Sequence, residues 1–348
     1  MQAVITDGKG HVKLENIPMV KPAPWQCLCR IDACATCSGT DQKLVNHLFD
    51  WADQYPAILG HESVGTIIEC GSEVKNFKPG QRVLRPAVAL PGTMYGELAS
   101  WMGGFAEYGL ITDIAVVPPS EREKIDPFGY TRYQQVLPDD LDISNADATL
   151  LVMLKEVSAA CQGVGVARGQ NVLVLGSGAV AQAMCYFCSS LGAKVIVAAR
   201  RAEPLERCIR CGAHKTVNLT EDDLESVVND ATSGCGIHRI MDAAGSIELV
   251  IRSSALLADG GGIASYATLD GGRFPSEQIL ARGRWELLTS TLAECDTHDA
   301  IISAIRRKEL DPALFYTHKM DFADFETGFP MLAKKEAGKI VFEISGKN

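Results

Sequence analysis

The feature that most constrains the fold of this chain is a glycine-rich turn between a short apolar run and a helical segment. Residues 171–175 have the composition of a buried strand, and residues 179–191 have the apolar spacing of a helix. The turn that joins them reads Gly176-Ser177-Gly178-Ala179-Val180-Ala181, a G-x-G-x-x-A pattern. Its first glycine permits a tight turn, and its second lets the backbone approach a pyrophosphate at the helix N-terminus. This context predicts a dinucleotide-binding βαβ unit.

Strands and helices alternate on the carboxyl side of this turn. A helical stretch at 203–211 ends at Gly212, a residue typical of helix C-caps. Further apolar runs with strand character lie at residues 194–199, 216–218, 238–244 and 261–265. Such alternation predicts an α/β domain with a doubly wound parallel sheet, a Rossmann coenzyme domain over residues 153–295.

Residues 1–152 have a different texture. Their short β-rich runs, such as 63–69 and 115–119, are separated by Gly and Pro instead of by helices. We therefore expect a mostly antiparallel, barrel-like domain. After about residue 296 the sequence predicts one more helix and then a strand at 339–343, which returns most simply to this first domain. The expected division is thus 1–152 with 296–348 against 153–295.

The end of the second coenzyme-domain strand indicates which dinucleotide is preferred. An NAD site usually has an acidic residue there, which binds the ribose hydroxyls. Here the strand ends at Ala199 and is followed by Arg200 and Arg201. Because guanidinium groups bind phosphate through charge-assisted hydrogen bonds, we expect NADP(H) to be favoured over NAD(H). The alternative is that both arginines are solvated surface charges.

Composition limits the partners. The formal net charge of −10 disfavours nucleic acid and anionic membranes, and we find no apolar run long enough to span a bilayer. The amino-terminal residues lack the basic patch and apolar core of a signal peptide. The 12 cysteines are therefore expected to be thiols in a reducing compartment. A cytoplasmic enzyme with a small-molecule substrate is the expected class.

Cys37 and His61 form a candidate metal-binding pair. Cys37 lies in the string Cys37-Ser-Gly-Thr-Asp41, and His61 lies in Leu59-Gly-His61-Glu62. A thiolate and an imidazole 24 positions apart can both bind Zn²⁺. Spacing alone leaves open that each residue is structural.

Taken in order, these strings resemble the zinc-dependent medium-chain dehydrogenase/reductase (alcohol dehydrogenase-like) family. The resemblance also rests on Lys78-Pro-Gly80-Gln-Arg-Val83, Gly103-Gly-Phe-Ala-Glu-Tyr108, the coenzyme turn and Gly338-Lys-Ile-Val341. It covers nearly the whole chain. It implies a chaperonin-10-like β-barrel catalytic domain, formed from both termini, together with the Rossmann coenzyme domain.

The resemblance also assigns roles to the residues that match the family's motifs. Cys37 and His61 would be ligands of the catalytic zinc, and Glu62 would be the carboxylate that binds the metal or lies behind it. Asp41 would orient His61, a contact that fixes the tautomer of the imidazole. Either Ser38 or Thr40 would supply the first hydroxyl of a proton relay, whose usual histidine is replaced by Lys43.

Two further departures concern the metals. Many relatives have four closely spaced cysteines that hold a structural zinc, whereas residues 85–104 contain no cysteine. We therefore expect one catalytic zinc and no structural zinc. The usual third catalytic ligand corresponds to Val152, which cannot bind a metal. Either Glu156, one helical turn on, completes the site, or Glu62 or water does so. Lys155 could be a general acid or base, or could form an ordinary surface pair with Glu156.

These observations predict hydride transfer between an alcohol or carbonyl compound and the nicotinamide coenzyme. Two alternatives stay open: a zinc-independent quinone or enoyl reductase of the same superfamily, and a non-catalytic NADP(H)-binding protein. Cys37, His61 and Asp41 together argue against both, whereas the missing third ligand keeps the first alternative open. A homodimer or homotetramer is the expected assembly.

Overall fold

The computed structural model describes residues 1–267 and 286–344 of the chain. Within these ranges the chain forms two compact units, Met1–Val152 with the segment that begins at Ala300, and Met153–Asp299. None of the helices in the described ranges is both long and apolar enough to cross a membrane.

The strands are numbered in chain order over the described residues. They are β1 (Gln2–Thr6), β2 (Val12–Asn16), β3 (Gln26–Ala35), β4 (Ala57–Ile58), β5 (Glu62–Cys70), β6 (Arg82–Leu84), β7 (Met94–Tyr95), β8 (Leu98–Ser100), β9 (Tyr108–Thr112), β10 (Asn171–Leu175), β11 (Lys194–Ala199), β12 (Lys215–Asn218), β13 (Ile237–Asp242), β14 (Leu257–Ser265), β15 (Glu286–Leu287), β16 (His318–Asp321) and β17 (Ile340–Glu343).

The α-helices in the same ranges are numbered likewise. They are α1 (Ser38–Val45), α2 (Pro119–Ile125), α3 (Asn145–Gly163), α4 (Ala179–Ser190), α5 (Ala202–Arg210), α6 (Leu224–Thr232), α7 (Ile247–Ser254), α8 (His298–Arg306) and α9 (Phe325–Ala333).

The first unit contains two sheets of mostly antiparallel strands. One has the order β2-β1-β4-β8-β7, and the other has the order β16-β17-β3-β5-β6, with β9 also paired to β3. Among the pairs in these sheets, β4 with β8 and β16 with β17 are parallel. Residues 63–69 lie in β5, as predicted. The mostly antiparallel domain expected from the short β-rich runs is therefore confirmed.

The carboxyl-terminal segment contributes to the core of this unit. β17 pairs with β3, and the Phe342 ring of β17 lies 4.6 Å from the Phe325 ring of α9. Phe325 in turn packs edge-on against Phe105, with ring centroids 4.9 Å apart. All three rings are fully buried. Burial of such large apolar side chains is the main force that holds β17 in the sheet.

The second unit is built on a parallel sheet with the order β12-β11-β10-β13-β14-β15. The chain leaves β10 in one direction to β11 and β12 and then returns to β13 on the other side, which makes a doubly wound sheet. The reversal falls between β10 and β13, where ligands of such sheets bind at the carboxyl ends of the strands. The predicted parallel sheet and the helix after the glycine-rich turn are both confirmed.

Three sequence-based predictions of local structure were wrong. Residues 115–119 are a turn instead of a strand, because Pro118 and Pro119 have no N–H for a ladder and Pro119 instead begins α2. The strand predicted at 238–244 ends at Asp242. The segment after residue 296 contains two α-helices, α8 and α9, where the sequence predicted one.

Candidate metal centre and coenzyme turn

The ladder between β3 and β5 brings the predicted metal ligands together. Ala35, at the end of β3, pairs with Glu62, the first residue of β5. Cys37 follows two residues after Ala35, just before α1, and His61 directly precedes Glu62. Two segments that are distant in sequence therefore meet at one end of a single pair of strands.

Gly60 allows the backbone to enter β5 in this position. Its φ angle is 101°, in the left-handed region that side chains disfavour. A Cβ at this residue would lie 2.4 Å from the backbone nitrogen of Phe105. The Gly60 carbonyl also accepts a hydrogen bond from Gly104 N–H at 2.7 Å. A residue with a side chain would therefore clash with Phe105 and displace His61, which follows Gly60 directly.

Cys37, His61 and Glu62 form the candidate metal centre. Their ligand atoms all lie within 4.8 Å of one another, and no other such group occurs among the described residues. His61 and Glu62 are buried, whereas Cys37 is partly exposed. A thiolate, an imidazole and a carboxylate are ligands that Zn²⁺ accepts in catalytic sites.

Asp41, the residue that the resemblance assigned to orienting His61, lies next to the imidazole. Its Oδ1 is 3.7 Å from His61 Nδ1, and neither buried atom has a hydrogen-bond partner among the residues that the structure describes. Asp41 Oδ2 accepts a hydrogen bond from Cys37 N–H at 2.7 Å, which fixes the carboxylate. Burial alone would lower the pKa of His61, but Asp41 and Cys37 raise it well above its ordinary value. The site therefore favours a positive charge, which a proton or a metal ion can supply.

Lys339 is a member of this site that the sequence analysis missed. Its Nζ lies 2.8 and 2.6 Å from the two Glu62 carboxylate oxygens and donates to Thr36 O at 2.8 Å. Burial alone would lower the pKa of Lys339, but Glu62 and Cys37 raise it, so the ammonium stays charged. One signal was available beforehand, because Lys339 lies in the closing motif Gly338-Lys-Ile-Val341 that contributed to the resemblance.

The two candidate relay hydroxyls differ in position. Thr40 Oγ1 lies 3.5 Å from Cys37 Sγ, beside the candidate metal centre. Ser38 is exposed, and its hydroxyl donates to Gly338 O at 3.1 Å. Of the two, Thr40 is the one that the structure brings to the cysteine.

Lys155 and Glu156 lie on α3, in the part of that helix that belongs to the second unit. Lys155 is fully buried, and its Nζ lies 3.2 Å from Glu294 Oε1. Glu156 is half-buried, and its Oε2 accepts a hydrogen bond from the Tyr266 hydroxyl at 2.6 Å. Because Lys155 is fully buried, the interpretation of these residues as an ordinary surface pair is wrong.

The glycine-rich turn has the geometry that phosphate binding requires. Gly176 has a φ of 110°, which permits the sharp turn after β10. Gly178 is the N-cap of α4, and a Cβ on it would meet nothing within 4 Å. That open space above the first N–H groups of α4, at Ala179 and Val180, suits an anionic group. Ser177 lies between the glycines and is buried.

Asp242 is a second residue that the sequence analysis missed. It is fully buried at the end of β13, and its Oδ1 accepts hydrogen bonds from the N–H groups of Ala244 and Gly245 at 2.9 and 3.0 Å. Its Oδ2 accepts from the Ser265 hydroxyl at 2.9 Å, which ties β13 to the end of β14. The segment that it holds lies against the turn, since a Cβ on Gly176 would be 3.4 Å from Ala244 N.

The end of β11 presents the predicted arginines to solvent. Ala199 is the last residue of β11 and is buried. Arg200 and Arg201 follow it and are both exposed, and Arg201 is the N-cap of α5. No carboxylate occupies positions 199–201.

Two family profiles match the chain. The profile of the alcohol dehydrogenase GroES-like domain matches residues 23–121, and that of the zinc-binding dehydrogenase domain matches residues 179–305. Together they cover more than half of the 348 residues. The chain belongs to the zinc-dependent medium-chain alcohol dehydrogenase family.

Individual members of this family are similar over nearly the full length. Sorbitol dehydrogenase of Gallus gallus is 25% identical over 350 residues, which cover 98% of this chain and 96% of that protein. The structure of 2R,3R-butanediol dehydrogenase from Bacillus subtilis has a TM-score of 0.78 and 20% identity, with 99% of each chain covered. A putative zinc-binding dehydrogenase from Sinorhizobium meliloti 1021, bound to NADP, has a TM-score of 0.78 and 21% identity, also with 99% of each chain covered. The predicted combination of a Rossmann domain with a chaperonin-10-like domain is thereby confirmed.

Proposed function

We propose that this member of the family is a zinc-dependent alcohol or polyol dehydrogenase that transfers a hydride between a secondary alcohol and NADP(H). The observation that carries the proposal is the grouping of Cys37, His61 and Glu62 within 4.8 Å, with Asp41 behind His61. The names of similar proteins, sorbitol and butanediol dehydrogenase, favour a substrate with neighbouring hydroxyl groups.

The residues of the site divide the chemical work. Cys37, His61 and Glu62 would hold the zinc ion, which supplies Lewis-acid polarisation of the substrate oxygen when it is bound. Asp41 orients His61 and supports its donor strength. Thr40, beside Cys37, would start the proton relay: its Oγ would take up the proton that an alcohol loses while its own hydroxyl proton passes on to solvent.

The coenzyme would bind across the carboxyl end of the parallel sheet. Its pyrophosphate would lie over Gly178 at the N-terminus of α4, where the open space and the first N–H groups of the helix meet. Asp242 keeps the segment after β13 in place beside this turn. When bound there, the coenzyme would supply the nicotinamide ring that accepts or gives the hydride.

Turnover with a panel of alcohols tests the proposal. The purified protein is mixed with NADP⁺ and, in turn, a polyol, a vicinal diol, a primary alcohol and a secondary mono-alcohol, and the absorbance of the reduced nicotinamide is followed. We expect turnover with the polyol or the diol. A quinone or enoyl reductase would instead oxidise NADPH with an activated alkene, and a non-catalytic binding protein would turn over none of these compounds.

The arginines at the end of β11 give a prediction about coenzyme choice. Replacing Arg200 and Arg201 with Ala should weaken NADP(H) binding by tenfold or more per arginine, because each charge-assisted contact contributes roughly 1.5–3 kcal/mol. NAD(H) binding should change far less. Coenzyme titration of the wild type and the double variant checks this, with Lys194→Ala, an exposed cation at the other end of the same strand, as the matched control. Equal affinities of the wild type for both coenzymes would contradict the assignment.

Glu156 gives a second prediction. We propose that its carboxylate serves the active site, where it would support zinc retention by the proposed ligands. Glu156→Gln keeps the shape and removes the charge, so turnover or zinc retention should fall by at least about tenfold. Tyr266→Phe is the matched control, since it removes the 2.6 Å hydrogen bond but leaves the carboxylate. If Glu156→Gln keeps both its turnover and its zinc, the residue has no role in the site and Glu62 is the third ligand.

A further inference from the structure

Two thiols face each other across β3 and β5, at the opposite end of the ladder from the metal centre. Cys27 and Cys70 are register partners in this antiparallel pair, and their sulfur atoms lie 3.2 Å apart. Cys27 is fully buried, whereas Cys70 is partly exposed, and both are free thiols. The ladder thus presents one accessible thiol with a second thiol directly behind it.

The backbone around this pair suits a disulfide. Gly71 N–H donates to Gln26 O at 2.8 Å, so Gln26 and Gly71 are a hydrogen-bonded pair of the ladder. Pair types alternate along an antiparallel ladder, and Cys27 with Cys70 is therefore a non-hydrogen-bonded pair, the type with the closer Cα atoms. Residues at such positions have Cα atoms about 4.5 Å apart, within the range that disulfides span. The two sulfur atoms can therefore bond with little movement of the strands.

The surroundings give the two thiols different roles. Cys27 lies in an apolar cluster with Ile67, Val83 and Ile111. Burial is the larger cause, and the hydrogen bond with Cys70 the second, of a raised pKa of Cys27, so this residue keeps its proton and is the less reactive of the two thiols. Cys70 is the thiol that solvent and a small oxidant can reach.

We propose that Cys27 and Cys70 are a redox modification site, which closes to an intramolecular disulfide when the protein meets a hydroperoxide. Cys70 attacks the peroxide, which breaks the O–O bond and forms the Cys70 sulfenic acid with release of one water or alcohol. Cys27 sulfur then attacks the Cys70 sulfur, the S–O bond breaks, and the hydroxyl leaves as water with the Cys27 proton. The two thiols lose two electrons to the peroxide, and a small dithiol can restore both.

The cross-link would enclose the metal ligands. The proposed ligands Cys37, His61 and Glu62 all lie between residues 27 and 70 in the chain. The same two strands that hold these ligands at one end would be joined covalently at the other. Closing a loop of this length restricts the unfolded chain, so the oxidised protein should resist unfolding better than the reduced protein.

The chain supplies two internal controls. Cys161 and Cys188 have sulfur atoms 3.6 Å apart, but both are fully buried and out of reach of an oxidant. Cys29 is also fully buried and lies two residues beyond Cys27 on β3, in register with Ile67 instead of with a cysteine. Neither Cys29 nor the Cys161–Cys188 pair should respond as the Cys27–Cys70 pair does.

The test treats the zinc-loaded wild-type protein with hydrogen peroxide, blocks the remaining thiols by alkylation, and maps linked peptides by mass spectrometry without reduction. We expect a peptide pair that joins the Cys27 segment to the Cys70 segment, formed at least about tenfold faster than any link between Cys161 and Cys188. The midpoint of thermal unfolding should rise by about 5 °C and return after treatment with a dithiol. Cys29→Ser should behave as the wild type.

Cys27→Ser and Cys70→Ser should both abolish the link and the thermal shift. Cys27→Ser changes a buried position and could prevent folding. Cys70→Ser changes a partly exposed position, so this variant should fold and can decide the test by itself. The proposal is overturned if Cys70 is oxidised to a sulfinic acid without linking, if it stays reduced, or if the link persists in Cys70→Ser. These readouts do not depend on turnover, so they stand or fall separately from the proposed dehydrogenase activity.

Discussion

Replacing Cys37 with serine should abolish zinc retention and lower turnover by at least about 10³-fold, since a Lewis acid contributes several kcal/mol to stabilising the transition state. Cys37 is the one thiol within 4.8 Å of both His61 and Glu62 among the described residues. The substitution removes the soft ligand but keeps the backbone N–H that donates to Asp41. The fold around α1 should therefore survive, and bound zinc and turnover are measured on the same sample.

Cys235→Ser is the matched control for Cys37. Cys235 is exposed and belongs to the second unit, so its loss removes a thiol without touching the candidate ligands. It should retain both zinc and turnover. If Cys37→Ser turns over substrate about as fast as Cys235→Ser does, Cys37 has no part in the proposed mechanism.

Replacing Lys339 with methionine should lower the free energy of unfolding of the zinc-free protein by about 3 kcal/mol, because a buried Glu62 carboxylate would lose its cation. Both side chains are almost completely buried, and their charged atoms lie 2.6 Å apart. Zinc bound to Glu62 would replace part of the lost positive charge. We therefore expect a smaller loss in the zinc-loaded protein, measured by denaturant unfolding of both forms.

Two further variants separate charge from packing at Lys339. Lys339→Met combined with Glu62→Gln should recover much of the lost stability, since no uncompensated charge then remains. Lys319→Met, at an exposed position on the neighbouring β16, should change stability little. An equal loss for Lys339→Met with and without zinc would show that Glu62 does not share its charge with the metal.

The parts of the fold that could be predicted from the sequence depend on local chemistry. Gly176 and Gly178 follow an apolar run and precede a helix, so the strand, the turn and the start of α4 could be read from one short stretch. The strand predicted at residues 115–119 was wrong, which shows that apolar content alone does not identify a strand. Two valines there have high β propensity, but the two prolines after them remove ladder donors and instead favour a helix start.

Residues of the candidate site were predictable where they lie in motifs. Cys37, His61 and Glu62 lie in ordered strings that the resemblance recognised. Lys339 could not be placed from the sequence, because its contact with Glu62 joins residues 277 positions apart and depends on the pairing of β17 with β3. Asp242 was read as part of a longer strand because the residues around it are apolar, whereas its carboxylate accepts hydrogen bonds from the N–H groups two and three residues further on and so ends the strand in a local turn.

Zinc titration of the metal-free protein shows whether turnover depends on a single zinc ion. The protein is stripped with a chelator and reloaded in steps, and bound zinc and the rate of NADP⁺ reduction by a polyol are measured at each step. Since Cys37, His61 and Glu62 form one site and residues 85–104 contain no cysteine, the rate should rise in proportion to bound zinc and level off at one ion per chain. If the stripped protein keeps its full rate, zinc takes no part in turnover, and if the rate levels off only near two ions per chain, the protein has a second zinc site.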